Sequence, residues 1–198
     1  MSFSLDQYRL DGKVAVVTGA GGRGNSIGRA YALGLATAGA SVVVADLNGE
    51  GAAAVADEIG ENGGSALGVQ VDIAAPDSVQ ELAAEAAFAF GGVDILVNNA
   101  GLMAELKSEQ AVDISLDEWN RIMRVNVTGA LNCAQAMVPL MRKRGGGKIV
   151  NQVSGGAFPA ISIYGISKLA LVGLTTTLAR QLGRENINVN AIAPGNTT

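Results

Sequence analysis

The sequence predicts an α/β protein: a three-layer, doubly wound parallel sheet with helices on both faces. Three observations carry that expectation. Short β-branched runs alternate with longer Ala/Leu-rich stretches along the 198 residues. The strand candidates are apolar nearly throughout, as strands buried on both faces must be. The first of them runs into a glycine-rich turn that opens a helix, the arrangement with which such sheets hold a phosphate.

The elements follow in order. Lys13–Gly19 (KVAVVTG) reads as the first buried strand, and a helix runs from about Ser26 to Ala38. Ser41–Leu47 is the second strand, and GEGAAAVADEIGENG the helix after it. Ala66–Ile73 and Val93–Gly101 read as strands around a helix from Pro76 to Phe90. Ser115 and Glu118 have capping-box spacing and start a long helix toward Arg144, which Gly145–Gly147 ends. KIVNQVS is a fifth strand, Ser162–Arg184 a further long helix, and INVNAIAPG a sixth strand. With no repeat or linker, residues 1–198 read as a single domain.

Composition narrows the function classes. A formal net charge of −4 without a basic block argues against a nucleic-acid partner. RKRGGGK (Arg142–Lys148) suits a helix end, where cations complement the dipole. Cys133 is the only cysteine, so neither a disulfide framework nor a cysteine-based zinc site is expected, and its apolar setting suits a buried, inert thiol. No metal site is expected. No apolar run reaches membrane-spanning length and the start lacks a signal-peptide pattern, so a cytoplasmic protein without membrane contact is the expectation. There is no histidine, so any acid–base chemistry at neutral pH must use another side chain.

The turn TGAGGRGNSIGRA lets backbone N–H groups approach a phosphate beside a helix N-terminus, which makes Gly19, Arg23, Ser26, Ile27 and Gly28 candidate cofactor contacts. The second strand ends in Asp46, followed by Leu47. A carboxylate there accepts hydrogen bonds from a ribose diol and repels a 2′-phosphate, although an aspartate at that point also suits a helix cap. NAD is therefore expected over NADP, although Arg23 is a cation in the turn able to pair with a 2′-phosphate.

Together these pieces closely resemble the short-chain dehydrogenase/reductase family: the Thr18–Gly28 loop, Asp46, Asp72, Asn98–Gly101 (NNAG), Asn126 in VNVTG, Ser154, Tyr164–Lys168 (YGISK) and Pro194–Gly195, in that order. The resemblance spans essentially the whole chain and implies a Rossmann-like fold. It implies that Asp72 and Ile73 contact the adenine, that Asn98, Ala100 and Gly101 line the ribose side, and that Pro194 and Gly195 flank the nicotinamide. It further implies a catalytic tetrad of Asn126, Ser154, Tyr164 and Lys168, with Tyr164 and Lys168 also touching the cofactor.

Three departures stand out. Gly19 and Gly28 lie nine residues apart, three more than in the usual loop, and Ser26 falls where the middle glycine is expected. The gap of ten from Ser154 to Tyr164 is slightly short. Family members continue beyond a sixth strand into a substrate lid and a seventh strand, whereas this chain stops at PGNTT, so a C-terminally incomplete domain is expected.

The chemistry this implies is hydride transfer between nicotinamide and a secondary alcohol or ketone. Tyr164 and Lys168, four apart on a helix, share a face, and a nearby ammonium favours phenolate over phenol. A tyrosine so placed exchanges a proton with the alcohol oxygen, while Ser154 hydrogen-bonds that oxygen. Family analogy gives Asn126 a water that relays the proton from Lys168. Taken singly, each residue has a plain structural use: a packed ring beside a solvated amine, a turn serine, a core amide. The alternatives are a 3-oxoacyl thioester reductase and a non-catalytic dinucleotide-binding protein. The resemblance also implies a homodimer or homotetramer pairing the helices near 115–144 and 162–184. Met103, Gly155, Gly156 and Ile161 are expected pocket neighbours.

Overall fold

The computed structural model of the protein describes residues 5–22, 26–103, 111–158 and 160–195. Among the described residues six strands are formed: β1 (Val14–Thr18), β2 (Ser41–Asp46), β3 (Ser65–Gln70), β4 (Ile95–Asn98), β5 (Gly147–Gln152) and β6 (Ile187–Ile192). They pair in parallel throughout, in the order β3-β2-β1-β4-β5-β6. The connecting helices are α1 (Ile27–Thr37), α2 (Gly49–Glu61), α3 (Pro76–Phe90), α4 (Leu116–Met123), α5 (Gly129–Lys143) and α6 (Ile163–Leu182). The expected doubly wound α/β architecture is therefore the observed one.

Alternation along the central strands sorts side chains into two cores. Ala15, Val17, Val42 and Val44 pack with Ala32 of α1 and Val55 and Ile59 of α2. Val16, Val43, Leu96 and Ile149 pack with Leu82 of α3 and with Met137 and Met141 of α5. Burying each large apolar side chain contributes about 1.5–3 kcal/mol. Cys133 is in the second of these cores, where burial pushes its thiol up to about 12.

Two expectations need correcting. Strands buried on both faces hold for β1 and β4, but β6 alternates, with Ile187 and Val189 inside and Asn188 and Asn190 exposed. Its I-N-V-N pattern is that of a half-buried strand. The long helix expected from 115 to 144 is interrupted: a π turn, Arg124–Thr128, separates α4 from α5. The start follows the spacing, Ser115 Oγ accepting from the Glu118 N–H at 3.2 Å, and Gly145 (φ 81°) lies just past the end.

At the end of the sheet away from the glycine turn, Asp94 joins three segments. Its carboxylate accepts from the Val14 N–H at 2.9 Å, from Arg144 Nη2 at 2.9 Å and from Lys13 Nζ at 3.5 Å. Arg144 also donates to the Gly12 carbonyl at 2.8 Å. Burial pulls the carboxyl upward, but the hydrogen bonds from Arg144 and Val14 and the positive charges outweigh it and hold it below its ordinary 3.8. The stability this contributes is present above that value and lost as pH falls through the lower folded one. Asp94→Asn is expected to lower stability by about 1–3 kcal/mol at pH 7. In urea titrations the gap between native chain and variant should close as pH drops below 3.8. A gap independent of pH would contradict the charged clamp.

Candidate active site

Strand order reverses between β1 and β4, and open parallel sheets hold ligands in the crevice at such a point, beyond the strands' carboxyl ends. A cleft of about 590 Å³ lies there. It is lined from the glycine turn (Gly19, Ser26, Ile27, Gly28) through the β2 end (Asp46, Leu47) and the β3 exit (Asp72, Ile73). It continues past Ala100 and Gly101 to Ser154, Tyr164, Lys168, Pro194 and Gly195. The fold thus gathers candidates 176 positions apart in sequence into one wall.

The glycine turn is built by close approach. Gly19 has φ +67°, and a Cβ added to it would lie 2.7 Å from the Ala100 Cα. A Cβ on Gly28 would lie 2.1 Å from the Gly19 carbonyl oxygen. The first turn of α1 therefore seats directly on the exit from β1, which only glycine allows. Ser26, at the position of the missing glycine, is the N-cap of α1, its Oγ accepting from the Arg29 N–H at 3.4 Å. A capped helix start aimed along a cleft favours an anionic ligand group. Arg23, proposed from sequence as a contact in this loop, lies outside the described residues.

Asp46 has a second use. Its Oδ2 accepts from the Gly21 N–H at 2.8 Å and its Oδ1 from the Asn48 N–H at 2.9 Å. The carboxylate thus ties the glycine turn to the β2 exit while still lining the cleft. Asp72 behaves similarly, Oδ1 accepting from the Ala74 N–H at 2.9 Å. Ile73 is held by Asn132, whose Nδ2 donates to the Ile73 carbonyl at 2.9 Å.

At the other end, Ser162 caps α6 and sets its first turn, Oγ accepting from the Gly165 N–H at 3.1 Å. Tyr164 and Lys168 then project to one side, with Lys168 Nζ 5.6 Å from the Tyr164 ring centroid. Lys168 is 3% exposed and donates to the Gln152 carbonyl at 2.8 Å. Burial lowers its ammonium from 10.5 to about 8. Ser154 Oγ accepts from the Gly156 N–H at 3.1 Å, which leaves its own proton free to donate.

Two predicted residues are not on the cleft wall. Asn98 was expected on the ribose side, but its amide lies in the interior, donating to Asn151 Oδ1 at 2.9 Å and to the Ala130 carbonyl at 3.3 Å. The pleat brings its neighbour Asn99 to the cleft instead, where Nδ2 donates to the Thr18 and Gly19 carbonyls, both at 2.9 Å. Asn126, 1% exposed on the π turn, also lies behind the wall. Asn99, Val71, Leu102, Val125, Gln152 and Val153 line the cleft and were missed. Strand alternation in NNAG was the only signal that could have found Asn99. Of the expected pocket neighbours Met103 lines the cleft, whereas Gly155, Gly156 and Ile161 do not.

The buried ammonium has a measurable consequence. Between about pH 8 and 10.5 the unfolded chain keeps the proton that the folded chain has released at Lys168, so stability rises with pH across that window. Relative to Lys168→Met, the native chain should gain on the order of 3 kcal/mol from pH 7 to pH 10.5 in urea denaturation. A difference that stays constant over that range would mean the ammonium is not buried.

Comparison with known proteins bears directly on the site. The family model described as short chain dehydrogenase matches residues 13–198. An uncharacterized oxidoreductase of Mycobacterium tuberculosis (strain ATCC 25618 / H37Rv) is 49% identical over 186 residues, which is 94% of this chain and 74% of the relative. The 7alpha-hydroxysteroid dehydrogenase of Escherichia coli (strain K12) is 42% identical over 199 residues, covering 98% and 74%. The crystal structure of a short-chain type dehydrogenase/reductase from Mycobacterium marinum superposes with a TM-score of 0.90 at 38% identity, covering 98% of this chain and 78% of that one. A match over nearly the whole chain, joined to the same sheet, shows that the protein belongs to the short-chain dehydrogenase/reductase family of oxidoreductases, a family that works with a nicotinamide dinucleotide.

Proposed function

We propose that this chain is an NAD(H)-dependent oxidoreductase that interconverts a secondary alcohol and a ketone, with Tyr164 as general acid/base. The observation that carries the reading is the shared cleft: Ser154, Tyr164 and Lys168 line the same crevice as the glycine turn and Asp46. The glycine cradle supports a dinucleotide, since Gly19 and Gly28 let the first turn of α1 seat on the exit from β1 and bring the helix N-terminus to the cleft, where a pyrophosphate would be held. Gly19, Ser26, Ile27 and Gly28 would hold the pyrophosphate, Asp46 and Leu47 the adenosine ribose, and Asp72 and Ile73 the adenine. Ala100 and Gly101 would line the ribose side of the cofactor, and Pro194 and Gly195 would flank the nicotinamide. Negative charge at Asp46 favours NAD over NADP. The cofactor, when bound, supplies or accepts the hydride.

The chain's own groups handle the proton and the oxygen. Ser154, with its lone pair engaged by the Gly156 N–H, donates its hydroxyl proton to the substrate oxygen and holds it as charge shifts. Tyr164 takes the alcohol proton in oxidation and returns it in reduction. Lys168 spends one N–H on the Gln152 carbonyl, leaving two for the nicotinamide ribose and the phenol oxygen, whose developing charge it stabilises. Asn126 acts from behind the wall, and a water relay from Lys168 past it remains part of the reading. Leu102, Met103 and Val153 give the substrate end an apolar lining, which favours an alcohol without a charged group beside the carbinol.

The name of the relative that acts on a 7α-hydroxysteroid supports including that class among the substrates to be tried. A cytoplasmic protein assembled as a homodimer or homotetramer through α4–α5 and α6 completes the proposal. Among the described residues no helix is long and apolar enough to cross a membrane.

The test is a Tyr164→Phe variant assayed with NAD⁺ on cyclohexanol and cholic acid. Turnover should fall about 10²–10⁴-fold, while NADH affinity stays within about twofold because the ring and Lys168 remain. Unchanged turnover would remove Tyr164 from the mechanism. A native chain that binds NADH but oxidises no alcohol and reduces no ketone would be a non-catalytic dinucleotide-binding protein.

A further inference from the structure

Ser167 lies between Tyr164 and Lys168 in sequence yet faces away from the cleft, with no exposed surface. Its Oγ is 2.7 Å from the Tyr164 carbonyl and 3.0 Å from Asn126 Nδ2. A carbonyl can only accept, so the Ser167 proton points to Tyr164 and its oxygen must receive the Asn126 N–H. The contact is therefore directional: Asn126 donates to Ser167, and Ser167 donates to Tyr164.

That direction fixes the Asn126 amide. Nδ2 donates to Ser167 and to the Leu102 carbonyl at 3.1 Å, and Oδ1 accepts from the Leu102 N–H at 2.7 Å. Every polar atom of the side chain is used. A Cβ placed on Gly101 would be 3.2 Å from both Asn126 Oδ1 and Lys168 Nζ, so the amide oxygen and the ammonium border the same notch. Turned over, the amide would set N–H groups against the ammonium and against the Leu102 N–H, like facing like.

We propose that Ser167 is a positioning residue: its hydroxyl holds the Asn126 amide so that Oδ1 faces the Lys168 notch, and through it anchors Leu102 on the cleft wall. The proposal rests on the reading of Tyr164 and Lys168 as the proton-transfer pair. It explains why a polar hydroxyl occupies a fully buried position on the rear of α6, where an apolar residue would pack without a hydrogen-bond requirement.

Ser167→Thr and Ser167→Val separate the hydroxyl from the packing, because the two side chains have the same shape and only threonine keeps the donor and acceptor. With cyclohexanol and cholic acid as probes, Ser167→Val should lower kcat about five- to tenfold relative to Ser167→Thr, leaving KM for NAD⁺ within about twofold. The loss should vanish when the pair is compared in an Asn126→Ala background, since the hydroxyl acts through that amide. Hydrogen exchange at the Leu102 amide gives a readout independent of turnover. It should quicken at least about fivefold in Ser167→Val and stay near native in Ser167→Thr, at matched urea midpoints. Equal kcat in the two variants, a loss that persists without Asn126, or native protection at Leu102 in Ser167→Val would each overturn the proposal. Should the native chain turn over neither probe, it is the choice of alcohol substrate that fails, and Leu102 exchange alone decides whether Ser167 holds the Asn126 amide.

Discussion

The seating of α1 on the exit from β1 is the constraint on which the site depends. The Gly28 α-carbon lies so near the Gly19 carbonyl that even a methyl would meet it at 2.1 Å. That contact brings the helix N-terminus to the rim of the central strand, beside the loop after β4. Asn99 seals the same contact by donating to both the Thr18 and Gly19 carbonyls. Asp46 closes it from the other side through the Gly21 N–H. A cleft at this switch in strand order follows from topology, but its capacity for a phosphate follows from these few ångströms.

The end of the cleft proposed for catalysis rests on a different device, a set of buried polar bonds between elements distant in sequence. Lys168 reaches the β5 carbonyl of Gln152, Ser167 reaches the π turn through Asn126, and Asn126 reaches the β4 loop through Leu102. The Gly155 N–H donates to the Pro194 carbonyl at 3.0 Å and joins the serine loop to the β6 end. Buried polar groups are costly when unpaired, so these bonds specify one arrangement more than they add net stability. Burial desolvates Lys168, which is why its ammonium is held near 8.

Much of this was legible in the residues. Strand and helix positions followed from β-branched runs and Ala/Leu stretches, because tertiary packing here agrees with local preference. The cap at Ser115 obeys its spacing rule, whereas Ser26 and Ser162 read only as helix starts and Ser26 stands where the loop's middle glycine is expected. What stayed hidden depends on geometry that no periodicity encodes. NNAG contains two asparagines, and only the phase of the pleat decides that Asn99 rather than Asn98 meets the cleft. A helix of 28 residues between Leu116 and Lys143 gives no local sign of the π turn inside it, so the setting of Asn126 behind the wall was out of reach. The Asp94 clamp joins residues 50 and 80 apart and likewise leaves no mark in either neighbourhood.

The most direct test of the central claim, that this cleft is shaped for an adenine dinucleotide with an unphosphorylated ribose, is a titration of the purified protein with NADH and with NADPH, followed by nicotinamide fluorescence. The account predicts NADH binding at least about tenfold tighter, because the Asp46 carboxylate would face a 2′-phosphate as like charge. Tighter binding of NADPH, or no binding of either, would contradict it.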